Sequence, residues 1–246
     1  MNSIKNIFAR LWALWGLVSF IITFLIIILP ALISYLFKDE VKGQIYFIKL
    51  SRIWMRCWLF LIGCNVHVYG KENFKKDKNY VVVFNHNALL DVPLSAPFVP
   101  GANKTIAKAS FAKVPLFGLF YSKGSVLVNR KDEKSRVKSL ESMKRVLSMG
   151  MHMCIYPEGT RNRTNEILKS FYDGAFKLAT ETGKDIIPCV ISGTKKAMPI
   201  HKTFHLLPTK LNMYFLPAVS SENITAKDLN NKVFEIMKNE CKKRNV

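Results

Sequence analysis

The chain has 246 residues, enough for one sizeable α/β domain with its own core or for two small ones. Its 37 Lys+Arg against 17 Asp+Glu give a net charge of +20, spread as +5 over residues 1–70, +9 over 71–150 and +6 over 151–246. That distribution excludes a neutral domain with a single basic tail and favours an anionic partner: nucleic acid, an anionic membrane face or a phosphorylated small molecule.

Residues 11–37, LWALWGLVSFIITFLIIILPALISYLF, hold 27 positions without a charge. About 20 apolar residues suffice to cross a bilayer, so this reads as a membrane segment. It is too long for the roughly 7–15-residue apolar region of a secretory signal peptide and does not end in small residues. Pro30 removes one helical hydrogen bond, which leaves two arrangements open: one kinked span, or two shorter membrane-embedded helices. Lys5 and Arg10 precede the run, and Lys38, Lys42, Lys49, Arg52 and Arg56 follow it closely. For a spanning segment, that asymmetry puts the body in the cytoplasm.

In residues 43–63, Lys49, Arg52 and Arg56 form one helical stripe, opposite Phe47, Leu50, Trp54, Trp58 and Leu61. Such a helix suits a lipid interface or a core face equally. Either placement sets nucleic acid aside as a partner. The five cysteines form no C-x-x-C and sit mostly in apolar runs, as reduced buried thiols do.

Further along, NYVVVF (79–84), SVLVN (125–129), MHMCIY (151–156), IIPCVIS (186–192) and LNMYF (211–215) read as strands. Between them, residues 132–149 form an amphipathic helix stopped by Gly150, and residues 171–182 form another, stopped by Gly183. A third runs from a capping Thr225, paired with Asp228, to the basic turn Lys242-Lys243-Arg244. This alternation predicts an α/β fold: a mainly parallel sheet flanked by helices, after an N-terminal membrane-embedded helical segment. The expected division is membrane-anchoring helices over 1–63 and an α/β catalytic domain over 64–246. Ligands of such sheets bind beyond the carboxyl ends of the strands.

His86 and Asp91 follow the first of those strands in VVVFNHNALLDVPL. On one continuous helix, positions five apart point about 140° away from each other. The two side chains meet only if His86 sits on the strand-to-helix turn and Asp91 opens the next helix, where Pro93 is well placed. That arrangement gives a base and its orienter. With no G-x-S-x-G and no suitable Ser or Cys nearby, the base would act on a hydroxyl of the substrate. Alone, the spacing fits a structural histidine just as well.

YPEGTR (156–161) follows another strand: Gly159 permits close backbone approach, Glu158 supplies a carboxylate, and the Arg161 guanidinium suits a phosphate. A local Glu158–Arg161 ion pair closing the turn is the plainer alternative. Lys108 ends a short apolar run and Arg130 ends GSVLVNR. His67 and His152 lie singly in strand-like runs, while His201 and His205 lie between Pro199 and Pro208, as in a surface loop and not a zinc helix. Neither a metal site nor a nucleotide-cofactor fingerprint is expected.

The ordered blocks NHNALLD, GSVLVNR, YPEGTR and IIPCVISG resemble the glycerolipid acyltransferase family, most closely the bacterial 1-acyl-glycerol-3-phosphate acyltransferases. The resemblance implies transfer of a fatty acyl group from acyl carrier protein or coenzyme A, as co-substrate, to the 2-hydroxyl of a lysophospholipid acceptor, 1-acyl-glycerol 3-phosphate (lysophosphatidate), giving phosphatidate. It implies His86 as general base and Asp91 as its orienter, with Lys108, Arg130, Glu158, Gly159, Thr160 and Arg161 binding substrate. Within that set, the arginines hold phosphate and Glu158 and Gly159 shape the loop. It also implies membrane lipids as partners and a cytoplasmic (inner) membrane location, with the catalytic domain facing the cytoplasm. Two positions depart from the family pattern: FYDG at 171–174 replaces a run with a cation, and Asn129 stands where an acid is common. Rival readings are the same chemistry on a lyso-aminolipid or glycerol 3-phosphate, and a non-catalytic lipid-binding protein.

Overall fold

A computed structural model of the chain describes residues 2–129 and 131–246. Arg130 therefore lies outside the described residues. Seven strands form one sheet: β1 (Val66–Tyr69), β2 (Val81–Phe84), β3 (Asn103–Lys108), β4 (Ser125–Val128), β5 (His152–Ile155), β6 (Ile186–Ser192) and β7 (Leu211–Phe215). Their spatial order is β1-β7-β6-β2-β5-β3-β4. Every neighbouring pair is parallel except β6 with β7, so β7 and β1 run against the other five. The sheet is mixed but mostly parallel. The carboxyl ends of β6, β2, β5, β3 and β4 consequently share one edge.

β3 departs from the apolar runs of the other inner strands. Asn103 is fully buried, yet its side-chain amide donates to the Ala96 and Gly101 carbonyls, so a polar residue sits in the core at little cost. Alternate positions of β2 face opposite layers. Val82 and Phe84 pack with Trp54, Trp58 and Leu59, whereas Val81 and Val83 pack with Met143, Leu147, Phe176 and Met237.

The first of those layers is a helical hairpin. α1 (Asn2–Leu32) runs through Pro30 without ending, and α2 (Glu40–Leu61) returns alongside it, capped by Asp39. All four tryptophans of the chain fasten the hairpin. Trp12 and Trp15 donate to the last carbonyls of α2 and its cap, Ile62 O (3.0 Å) and Leu61 O (2.9 Å). In return, Trp58 donates to Gly16 O (3.0 Å) and Trp54 to Thr23 Oγ1 (2.9 Å). The indoles of Trp12 and Trp15 thus satisfy helix-end acceptors, while the buried rings of Trp54 and Trp58 fill the interface. Residues 1–63 and 64–246 share one core, because α2 is itself a cover of the sheet. Part of the basic stripe of α2 also faces the body. Arg52 donates to Pro97 O and Val99 O (2.6 and 2.9 Å), and Arg56 lies over the Phe98 ring.

One helical segment, Ser3–Tyr35, is long and apolar enough to cross a membrane. Its outer stripe, including Ile4, Leu11, Val18, Leu25 and Leu29, is exposed. Both ends are tied to the body: Leu206 N donates to Ala9 O at the start, and past the other end Lys123 Nζ donates to Ser34 O and Tyr35 Oη to Leu119 O. About 1.5 Å per residue separates those ties along α1. α1 therefore lies along the body over most of its length.

On the opposite face lie α5 (Glu133–Ser148), α6 (Gly174–Thr182) and α8 (Ala226–Lys243). α6 begins three residues later than the pattern predicts. Lys169 N and Tyr172 N donate across to Glu158 and to Pro157 O, which holds that approach extended. His152 is a core residue. Its Nδ1 accepts from Tyr80 N (3.1 Å), its ring stacks on Tyr80, and burial pulls its pKa down to about 4. A depressed histidine contributes stability that is present above its ordinary value near 6.5 and is lost as pH falls towards 4. Acidification through that window should therefore destabilise the protein by up to about 3 kcal/mol through this residue. Denaturant titrations at both pH values should show a flatter acid slope for His152→Gln, which keeps an acceptor but cannot ionise.

Candidate active site

β2 ends at Phe84, and Asn85 then continues its pairing through a side chain: Asn85 Nδ2 donates to Ile191 O (2.9 Å) and Asn85 Oδ1 accepts from Ile191 N (2.7 Å). The chain next turns, and Asp91 opens the short helix α3 (Asp91–Ser95). This is the arrangement that the five-residue spacing requires. His86 Nδ1 lies 2.9 Å from Asp91 Oδ2, which also accepts from Asn87 N and Ala88 N (2.7 Å each). An ionised carboxylate only accepts, so Nδ1 carries the hydrogen and Nε2 is left as the basic nitrogen. Asp91 is fully buried, and its Oδ1 has no partner among the described residues.

The backbone of His86 is held as firmly as its ring. His86 N donates to Glu158 Oε1 (2.6 Å), and His86 O accepts from Asn162 N (2.7 Å). The second Glu158 oxygen takes Lys169 N (3.0 Å). Glu158 is fully buried and both its oxygens hold backbone N–H groups, so it shapes the loop and presents no oxygen to a substrate. It pairs with the main chain, not with Arg161. Burial pushes its pKa up to about 7, against those same two hydrogen bonds.

The remaining expected residues lie along the same edge. Lys108 is exposed at the end of β3, Thr160 is exposed, and Arg161 is half-buried directly after the β5 loop. Gly159 takes φ +72°, the left-handed conformation that lets the loop turn back beside His86. At the end of β4, Asn129 N donates to Ser135 Oγ and Asn129 Oδ1 caps Lys131 N, so this residue organises the turn.

Four contributors escape a reading of motifs. The Tyr156 ring lies 4.4 Å from that of His86, centroid to centroid, and its buried hydroxyl donates to the Asp91 carbonyl (2.9 Å). Burial, then the Asp91 charge, holds that phenol well above its ordinary range, so it stays a donor. Asn85 and Asn162 act through amide bonds that no spacing rule announces. Lys169 reaches Thr160 Oγ1 (3.2 Å) and brings a cation to the loop beside FYDG, while Asp173 in that run accepts from Asn230 Nδ2. Cys154 and Cys189 are fully buried with thiol pKa values raised by burial, which makes them packing groups and not nucleophiles.

A histidine oriented by a carboxylate lies at the carboxyl ends of parallel strands, with cations along the same edge, a geometry suited to a general base beside an anionic ligand. A sequence model of the acyltransferase family matches residues 65–192, which include His86, Asp91 and the whole YPEGTR loop. The chain belongs to that family. It is 31% identical to the 1-acyl-sn-glycerol-3-phosphate acyltransferase of Saccharomyces cerevisiae over 180 residues, 71% of this chain and 58% of the relative. With the enzyme of the same name from Borreliella burgdorferi, identity is 32% over 156 residues, 59% of this chain and 60% of the relative. The chain thus spans less than two thirds of the length of these relatives. In fold it is similar to the 1-acyl-sn-glycerophosphate acyltransferase PlsC of Thermotoga maritima, with a TM-score of 0.81, 24% identity, and coverage of 100% of this chain and 98% of that one.

Glu158→Gln replaces one accepting oxygen by an amide that opposes a backbone N–H. Thermal denaturation at neutral pH should register a loss of about 1–3 kcal/mol, the usual cost of an unsatisfied buried group.

Proposed function

We propose that the chain transfers a fatty acyl group from an acyl thioester, of acyl carrier protein or coenzyme A, to the 2-hydroxyl of a 1-acyl-glycerol 3-phosphate, forming phosphatidate for phospholipid synthesis. The observation that carries this reading is the His86 Nδ1–Asp91 Oδ2 bond, which leaves Nε2 basic at a strand-end site. The names of the relatives support the acceptor, and the cations Lys108, Arg161 and Lys169 supply the charge that its phosphate requires.

In the reaction, Nε2 of His86 removes the proton as the acceptor oxygen attacks the thioester carbonyl. A new C–O bond forms, the C–S bond breaks, and the histidine returns its proton to the departing thiolate. A positioned base of this kind accelerates such a step by ~10²–10⁴-fold. Asp91 fixes the tautomer and offsets the charge of the imidazolium. Because the acceptor supplies the attacking hydroxyl, the pair needs no serine beside it.

The exposed stripe of α1 supports association with one leaflet: the hairpin lies along the surface and the body stays on a single side. Free cysteines support the cytoplasmic face of the inner membrane.

A panel of lysolipids and glycerol 3-phosphate, offered to the purified protein with each thioester, tests the acceptor; release of phosphatidate from 1-acyl-glycerol 3-phosphate alone is the expected result. His86→Ala should lower turnover by ~10²–10⁴-fold while the protein stays folded and vesicle-bound. Near-normal transfer by that variant would overturn the assignment of the base. Asp91→Asn should lower kcat more than it raises KM, because it disturbs the tautomer and not the acceptor's phosphate.

A further inference from the structure

A second concentration of positive charge lies where the start of α1 meets the loop between α7 (Thr194–Ala197) and β7. An open cavity of ≈ 660 Å³ there is lined by Lys5 and Asn6 of α1, by Lys196, and by Lys202, His205 and Thr209 of the loop. None of its lining residues is acidic. Nor does the sequence hold an Asp or Glu within residues 1–38 or 193–210, the two segments that supply the lining. Three lysines around one concavity repel each other unless an anion joins them.

The cavity is built from fixed parts. Lys202 Nζ donates to Asn6 Oδ1 (3.3 Å) and Leu206 N to Ala9 O (3.1 Å), which fasten residues nearly 200 positions apart, and Leu207 N donates to Ala197 O (3.0 Å) at the end of α7. Its wall contains His205, only 7% exposed, whose Nδ1 has no hydrogen-bond partner among the described residues. Burial first, then the charges of Lys202, Lys5 and Arg10, holds that imidazole below its ordinary value. An anion bound among those cations would offset the charge that helps to hold the ring neutral. Beside the cavity, Ile4, Ile7, Phe8 and Leu11 of α1 project outward, at the depth where headgroup phosphates lie if α1 rests on a leaflet.

We propose that this cavity is a phosphate-binding site, distinct from the His86–Asp91 pair, neither of which lines it, and that it takes the headgroup phosphate of an anionic phospholipid. The phosphate site stands on the cavity itself; the lipid as its source rests on the reading of α1 as leaflet-bound, and neither depends on acyl transfer.

Two measurements on the full-length protein test it, with circular dichroism and thermal unfolding verifying the fold of each variant. The first compares binding to phosphatidylcholine vesicles with and without phosphatidylglycerol. Lys5→Gln/Lys196→Gln/Lys202→Gln should lose the preference for phosphatidylglycerol by about tenfold or more. The charge-matched control Lys227→Gln/Lys232→Gln/Lys242→Gln, on α8 across the sheet, should stay within about twofold of the parent. The second follows the His205 imidazole by NMR in detergent as inorganic phosphate is added; a saturable shift in the parent, absent from the cavity variant, is expected. Equal losses in both triple variants, or no phosphate-dependent shift at His205, would overturn the site. A phosphate shift with no change in vesicle preference would overturn the lipid and leave a soluble phosphate ester as the occupant.

Discussion

The peptide unit of His86 is held at both its polar atoms by one loop. Its N–H goes to the buried carboxylate of Glu158, and its carbonyl takes the N–H of Asn162. These bonds extend the link between β2 and β5 past the point where regular pairing stops, so a residue on a turn has the fixity of a residue in a strand. Ring orientation depends on that fixity. A histidine whose backbone could drift by an ångström would lose its alignment with Asp91, and positioning of a base is most of what such a site contributes. The cost is a carboxyl group buried in the core, offset by two backbone donors.

Around this clamp the sheet sets direction. Parallel pairing of β2, β5, β3 and β4 brings the base, the YPEGTR loop and Lys108 to one edge without any of them being close in sequence. The reversal at β6 and β7 carries the chain back to the start of α1, where the second basic cluster forms. Positive charge therefore collects on that edge and beside the apolar stripe of α1.

The hairpin shows how composition and packing divide the work. Twenty-seven uncharged residues announce a membrane segment, but say nothing of what its inner side touches. Trp12, Trp15, Trp54 and Trp58 turn that side into a packed interface closed by four indole hydrogen bonds. The outer side remains available to lipid. Arg52, on a stripe that suited a lipid interface and a core face equally, holds the carbonyls of Pro97 and Val99.

By itself the sequence determined the alternation of strands and helices, the helix ends at Asp132, Gly150 and Thr225, and the turn that His86 must occupy if it is to meet Asp91. Each of these depends on residues within a few positions of one another, where spacing and capping chemistry suffice. Only the tertiary structure decided that β1 and β7 run backwards, that β3 is a core strand in spite of Asn103 and Lys104, and that Glu158 faces the main chain. The same holds for the Tyr156 ring on His86, the amide ties of Asn85 and Asn162, and Lys169 beside Thr160. Their partners lie on other strands and loops, and the sign of a polar residue in a sequence does not reveal which buried donor or acceptor it will satisfy. Local periodicity reports which face is apolar; the identity of the neighbour across that face is a property of the whole sheet.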